Sequence, residues 1–185
     1  TPAFLDEGVP FASAEAVSGG AVNFSKIRGF ISHEDHRRFS EKYRPALYDI
    51  YMVKSGATTG VTAIVESEMD FNIWSPLAAI RCDPEVAYPY FVLNFMRSRN
   101  FQEAVALNWS FGTQQNIGMG VLGNLFVAVP PLSEQRAIAS RLGNSNLNFD
   151  VLTNAAEQAI VLLKERRSAL IAAAVTGKID VRQMA

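Results

Sequence analysis

The stretch "VKSGATTG", Val53 to Gly60, sets one lysine, one serine and two threonines among two glycines. Ammonium and hydroxyl groups donate to phosphate oxygens, and glycine lets a backbone approach a ligand closely. The chemistry on offer is phosphate binding, either of a nucleotide or of a nucleic-acid backbone. A nucleotide P-loop needs G-x-x-x-x-G-K-[ST] at a turn from strand into helix, where amides, lysine and helix N-terminus meet the phosphates. Here the lysine precedes both glycines, Gly56 and Gly60 stand too close together, and Val61-Thr62 follow. The next residues, "VTAIV", continue as a strand. What remains is a strand–turn–strand whose Lys54, Ser55, Thr58 and Thr59 can grip a DNA backbone.

A second stretch, "NWSFGTQQNIG" from Asn108 to Gly118, is rich in amides and holds Trp109, Thr113, Gln114 and Gln115. Glutamine and asparagine suit bidentate contact with adenine in the major groove. An ordinary turn with Trp109 or Phe111 tucked into the core is the other reading, and both stay open at this point. A third candidate is charge. Net charge is −1, so a nucleic-acid surface has to be local. Residues 1–25 hold three acids and no Lys or Arg. Residues 26–44 hold Lys26, Arg28, Arg37, Arg38, Lys42 and Arg44 against Glu34, Asp35 and Glu41. That is either a solvated face or a basic surface for phosphates, with the acidic first segment facing away.

Other chemistries lack their residues. His33 and His36 form an i, i+3 pair with no third ligand in reach, so no metal site is expected. Cys82 is the one cysteine, read as a small buried hydrophobe rather than a nucleophile. There is no G-x-S-x-G elbow. There is no Asn-Pro-Pro-Tyr methyltransferase motif; the only Pro-Pro is Pro130-Pro131. No catalytic residue is expected.

The elements that must hold these loops come in two textures. Up to Pro131, short apolar runs alternate with Gly, Pro, Asn and Ser. "DIYMVKSG" and "GVTAIVES" read as strands flanking the Gly-rich turn, "WSPLAAIRCDP" as another, and "LGNLFVAVPP" as a last strand stopped by the prolines. Between them, Phe91, Val92, Phe95, Met96, Phe101, Ala104 and Val105 recur with helical spacing, as one or two helices. The expected fold class is α+β (mixed α/β), with residues 1–131 as a globular domain and 132–185 as a helical region.

In that region Ser133 is placed to cap a helix, with Glu134 in its first turn. Ile138, Leu142, Ser145, Phe149, Leu152, Ala156, Ala159, Leu163, Arg166, Leu170 and Ala173 then follow a 4–3 spacing, a heptad-like stripe. Thr176-Gly177 supplies the stop. An unbroken helix would run roughly 65 Å, against a domain about 30–35 Å across. It would therefore project and pair through Phe149, Leu152, Ala156, Ala159, Leu163 and Leu170. The alternative is a two-helix hairpin bent at Gly143-Asn144 and folded back on its own domain.

Composition agrees with a folded chain: 49% of the residues are apolar. No apolar run approaches the ~18 residues of a membrane span. The N-terminus lacks the pattern of a signal peptide. A single cysteine suits a reducing compartment, so a cytoplasmic protein is expected.

Several segments together resemble the specificity subunits of type I restriction–modification systems. "YRPALYDIYMVKSGATTGVTAIV" resembles the middle of a target-recognition domain of that family, with Tyr48-Asp49 where Gly-Asp is usual. "FNIWSPLAAIR" and "GTQQNIGMGVLGNLFVAVPPLSEQRAIASRL" resemble it too, the second quite specifically. "LLKERRSALIAAAVTGKIDVR" resembles the end of the family's conserved helical region. The likeness runs from about residue 43 onward. Thr1-Pro2 matches the end of a Gly-Thr-Pro element early in such domains, which implies a strand preceding it.

The resemblance implies one target-recognition domain and one conserved, coiled-coil-forming helix, half of a two-domain subunit. It implies sequence-specific reading of one half of a bipartite double-stranded DNA target, without catalysis in this chain. It implies docking of methyltransferase subunits, which carry S-adenosylmethionine, and of a restriction or motor subunit that uses ATP and Mg. No cofactor is expected here. A homodimer through antiparallel helices would restore two domains. Two alternatives stand beside this: the recognition domain of a fused type II restriction–methylation enzyme, and a coiled-coil protein-interaction module without DNA binding.

Overall fold

The structure, a computed structural model, describes residues 2–18, 20–111 and 115–179. The strands are β1 (Val9–Ala12), β2 (Val17–Ser18), β3 (Ala21–Val22), β4 (Gly29–Ile31), β5 (Ile50–Val53), β6 (Thr62–Ile64), β7 (Asn72–Ile73), β8 (Leu77–Ile80), β9 (Ser110–Phe111) and β10 (Gln115–Asn116). The α-helices are α1 (His33–Ser40), α2 (Pro89–Arg97), α3 (Arg99–Leu107), α4 (Met119–Leu122) and α5 (Leu132–Val175). Strands lie in the orders β4-β1-β7 and β2-β3-β6-β5-β8, with β9 and β10 as a hairpin. This is the mixed α+β architecture with a long C-terminal helix that the sequence leads one to expect.

Strand β5 explains how the domain holds together. Successive side chains of a strand point to opposite faces. Ile50 and Met52 join Ile64 and Ala78 against α2, α3 and Ile117. Tyr51 and Val53 join Ala63, Val65, Phe71 and Leu77 on the other face. Both faces are covered, which is why "IYMV" is continuously apolar rather than alternating. A smaller cluster of Val9, Phe11 and Ile31 sits under Phe39 and Trp74.

At the entry to β5 the wholly buried Asp49 is fully partnered. Arg81 donates to both of its oxygens at 2.7 Å, the Ala46 N–H donates at 2.8 Å, and the Tyr43 hydroxyl donates as well. Burial pushes the Asp49 carboxyl up, but the hydrogen bonds from Arg81, Tyr43 and Ala46 outweigh it and hold it below the usual value. Just before it, Tyr48 adopts φ +68°, a left-handed conformation that glycine enters without strain. The expected glycine position is thus real in the backbone, although tyrosine occupies it.

The helical segment after β8 forms two helices. Pro89 opens α2, where its missing N–H is harmless, and Ser98 ends it with an extended backbone. The Ser98 hydroxyl then caps α3 by accepting from the Phe101 N–H.

One expected strand is absent. "LGNLFVAVPP" forms no ladder; its start is the short helix α4 and the rest is irregular. The N–H groups of Leu122, Gly123, Asn124 and Leu125 donate to carbonyls three or four residues back, so they are unavailable to a sheet. Pro130 and Pro131 have no N–H to offer. Leu122 is buried in the core, while Phe126 is 96% exposed.

Helix α5 is one element from Leu132 to Val175, passing through Gly143-Asn144 without a break. The bent hairpin is therefore not formed. A helical glycine costs about 1 kcal/mol, too little by itself to interrupt a 44-residue helix. The helix starts one residue ahead of Ser133, with the Pro131 carbonyl accepting from Glu134 and Gln135. It ends as expected: Gly177 has φ +71°, and the N–H groups of Lys178 and Gly177 donate to the carbonyls of Ala173 and Ala174.

The chain divides into two compact units after Ala139. Residues 132–139 belong to the first because Gln135 and Ala139 are buried in it. The Gln135 amide accepts from the Tyr88 N–H at 2.8 Å and donates to the carbonyls of Val86 and Pro130. The second unit contains the remainder of α5.

Candidate nucleic-acid interface

The Gly-rich turn joins β5 to β6, which pair antiparallel. Its shape is set by the backbone. The Gly60 N–H donates to Val53 O and the Val53 N–H to Val61 O, closing the turn. Gly56 and Gly60 take φ +107° and +95°, open to glycine alone without strain. At Gly60 a Cβ would lie 2.5 Å from Gln102 Oε1, and the Gln102 amide donates to Gly60 O. The turn is thus held by α3, through a glutamine that local sequence did not single out. The Thr59 hydroxyl donates to Gly56 O at 2.7 Å and so braces the turn. Thr58 is exposed, while Lys54 and Ser55 are half-buried.

The second stretch meets the first directly. Ser55 and Asn116 form an isolated antiparallel bridge. The Gly56 N–H donates to Gln115 O at 3.0 Å, and the Ile117 N–H donates to Lys54 O at 2.8 Å. Two candidate segments some sixty residues apart in sequence are therefore one continuous edge. Gln115 is half-buried in β10 and Asn116 is exposed. Thr113 and Gln114 lie outside the described residues. Trp109 packs against the core cluster, the turn-like alternative of the two. Its indole N–H is enclosed, with no partner among the described residues.

The basic stretch is scattered over several elements. Lys26 ends a single 3-10 turn, exposed. Arg28 lies over the rings of Trp74 and Phe4, at 4.1 and 5.5 Å. Arg37 and Arg38 are exposed on α1, and Arg38 pairs with Asp35. Arg44 pairs with Asp70 at 2.8 Å and lowers that carboxyl's pKa. Lys42 and Lys54 make no ion pair among the described residues, and both line a cavity of about 770 Å³. His36 Nδ1 lies 2.7 Å from the Asn72 side-chain oxygen. No group of three metal-ligating side chains occurs among the described residues. Burial raises the Cys82 thiol pKa. Among the described residues no helix is long and apolar enough to cross a membrane.

In the second unit, Phe149, Leu152, Leu163 and Leu170 are between 50% and 65% exposed, and Ala156 and Ala159 are exposed. Leu147, Val151, Val161 and Leu162 are as open. At about 100° per residue Leu147 and Val161 fall on the opposite side of the helix from the stripe, and Val151 and Leu162 on the flank between them. The sequence reading followed one face and missed this one.

Comparison with known proteins gives a consistent answer. No family model matches the chain. The specificity subunit of the Escherichia coli type I restriction enzyme EcoBI is 31% identical over 124 residues, which cover 63% of this chain and 26% of that protein. The chain thus spans about a quarter of the length of the curated relative it matches. A chain from a structure described as the basis of complex assembly and conformational transition of the type I R-M system superposes with TM-score 0.68 at 22% identity, over 92% of this chain and 39% of its own. The HsdS subunit from Thermoanaerobacter tengcongensis gives TM-score 0.59 at 16% identity, over 78% and 37%. The type I S subunit from M. genitalium gives 0.51 at 20%, over 82% and 35%. The structures share the fold, and the resemblance read from the sequence is borne out.

Proposed function

We propose, from this likeness to type I restriction specificity subunits, that the chain is a non-catalytic, sequence-specific DNA-recognition protein reading one half of a bipartite target. The observation that carries the reading is the single edge made by Lys54–Thr59 and Gln115–Asn116. Lys54, Ser55 and Thr58 supply backbone grip beside amides suited to base edges. Lys26, Arg37 and Lys42 add cations outside the ion pairs. Arg28, Arg38 and Arg44 belong to the same proposed surface, each already braced by an aromatic ring or a carboxylate.

The helix serves assembly in this proposal. The stripe of Phe149, Leu152, Ala156, Ala159, Leu163 and Leu170 pairs with the antiparallel helix of a second copy. The surface away from the stripe, with Leu147 and Val161 opposite it and Val151 and Leu162 on its flank, is left for the methyltransferase and restriction subunits. S-adenosylmethionine and ATP with Mg belong to those subunits. Such assembly is the support for a cytoplasmic complex.

The test is reconstitution with the cognate methyltransferase subunit, followed by mapping of methylated sites on genomic DNA. A new methylated motif is expected, and its absence overturns the proposal. Lys54→Ala should weaken binding to all sequences and reduce the salt slope by about one. Two-fold association without DNA affinity at low salt would instead favour a protein-interaction module.

A further inference from the structure

A cavity open to solvent is lined by residues of β1, α1, β7 and β8 and by Lys54 of the Gly-rich turn. At about 770 Å³ it is within the range of ligand pockets. Its lining includes the aromatic side chains of Phe39, Tyr43 and Trp74, backed by the buried Phe11 and Leu77. The Tyr43 hydroxyl is directed to Asp49, and the Asn72 side chain is engaged with His36 and Ser40. The charged side chains on its lining are Lys42 and Lys54. Neither has a carboxylate among the described residues. Lys42 is exposed, whereas Lys54 is half-buried, and an ammonium drawn half out of water beside apolar walls gains from an anion. Lys54 belongs to the Gly-rich turn, and Met119, also on the lining, directly follows the amide-rich stretch as the first residue of α4. The cavity therefore opens at the edge where the two stretches are joined.

We propose that this cavity binds a nucleotide, its base against Phe39, Tyr43 and Trp74 and its phosphate at Lys42 and Lys54. The inference rests on the DNA-recognition reading above and deepens it. Flat walls stack any base, and the two lysines answer the charge of one phosphate. Two sources share this chemistry: an unpaired nucleotide extruded from DNA, and a free mononucleotide.

The protein has two tryptophans. Trp109→Phe leaves Trp74 as the sole reporter and removes the unpartnered indole N–H. Three probes are titrated: a fully paired duplex, the same duplex with one extra unpaired nucleotide, and deoxynucleoside monophosphates beside the matching nucleosides. The bulged duplex should quench Trp74 and bind about tenfold more tightly than the paired one, as one stacked base is worth. Quenching by monophosphates, but not by nucleosides, supports the same site with a free nucleotide as the source. Ala79→Met fills the cavity from β8 and should abolish the quenching and the preference, with paired-duplex affinity unchanged. Because Ala79→Met can disturb β8, Ser75→Leu at the exposed rim is a second variant with the same expectation. If the paired duplex binds but neither bulge nor monophosphate quenches Trp74, the nucleotide site is overturned and DNA recognition stands. If no duplex binds at any salt, the recognition reading fails, and the monophosphate titration alone decides the cavity.

Discussion

In β5, Ile50, Tyr51, Met52 and Val53 have no exposed surface; in α5, Phe149, Leu152 and Leu163 keep 63% to 65% of theirs. The residue types are alike and their environments are opposite. In the globular unit the apolar side chains find partners within the chain, because two sheet faces and two helices close over them. In the second unit the helix satisfies its backbone by itself and leaves its side chains open. Long isolated helices gain most of their stability from packing an apolar face. The first unit thus closes its own core, while the proposed association is what would cover the second.

The widest separation between the two units should come from Leu152→Asp with Leu163→Asp. Each places a charge in the proposed seam, at an expense on the order of several kcal/mol when desolvated. Sedimentation should then report monomers, while the unfolding midpoint of the globular unit stays put. Association surviving the double substitution would break the comparison.

Next in size is Asp49→Asn, which acts on the globular unit alone. It weakens the Arg81 pairing at a buried site and should cost about 1–3 kcal/mol in denaturant unfolding. Its acid dependence has a definite sign. The folded Asp49 carboxyl lies below its unfolded value, so its stabilisation is full above the unfolded value of about 3.9 and is lost as pH falls through the folded one. The variant should have a shallower acid limb than the wild type; identical limbs would remove Asp49 from the explanation.

The smallest effect should be a gain. Tyr48→Gly relieves the left-handed backbone, worth about 1 kcal/mol, partly offset by the entropy of an unfolded glycine and by the lost contact with Tyr90, 6.1 Å away. The denaturant midpoint should rise slightly or hold. A clear drop would show that the aromatic contact outweighs the strain.

Much of this was legible without coordinates, for local reasons. The β5 and β6 strands around "SGATTG" follow from short Val-, Ile- and Tyr-rich runs bounded by glycine, and the α5 stripe from spacing of three to four residues. The helix stop at Gly177 follows from the one residue free to turn left-handed there. "LGNLFVAVPP" misled because its apolar run has strand composition, while its N–H groups bond locally and its prolines have none. For the site, residue types picked out both loops, and only Trp109, Gln102 and the ion pairs of Arg38 and Arg44 redistributed the roles.

By itself, the sequence determined that β5, β6 and β8 are strands, which segment is the long helix, and which loops carry lysine, hydroxyls and amides. It also carried the resemblance to type I specificity subunits. Only the tertiary structure decided that Ser55 meets Asn116, that Lys54 turns to a cavity walled by aromatics, and that Asp49 is buried beneath Arg81. Periodicity and capping act within a few residues, so they are written along the chain. These contacts join positions up to some sixty residues apart, and they exist only once the sheets have closed.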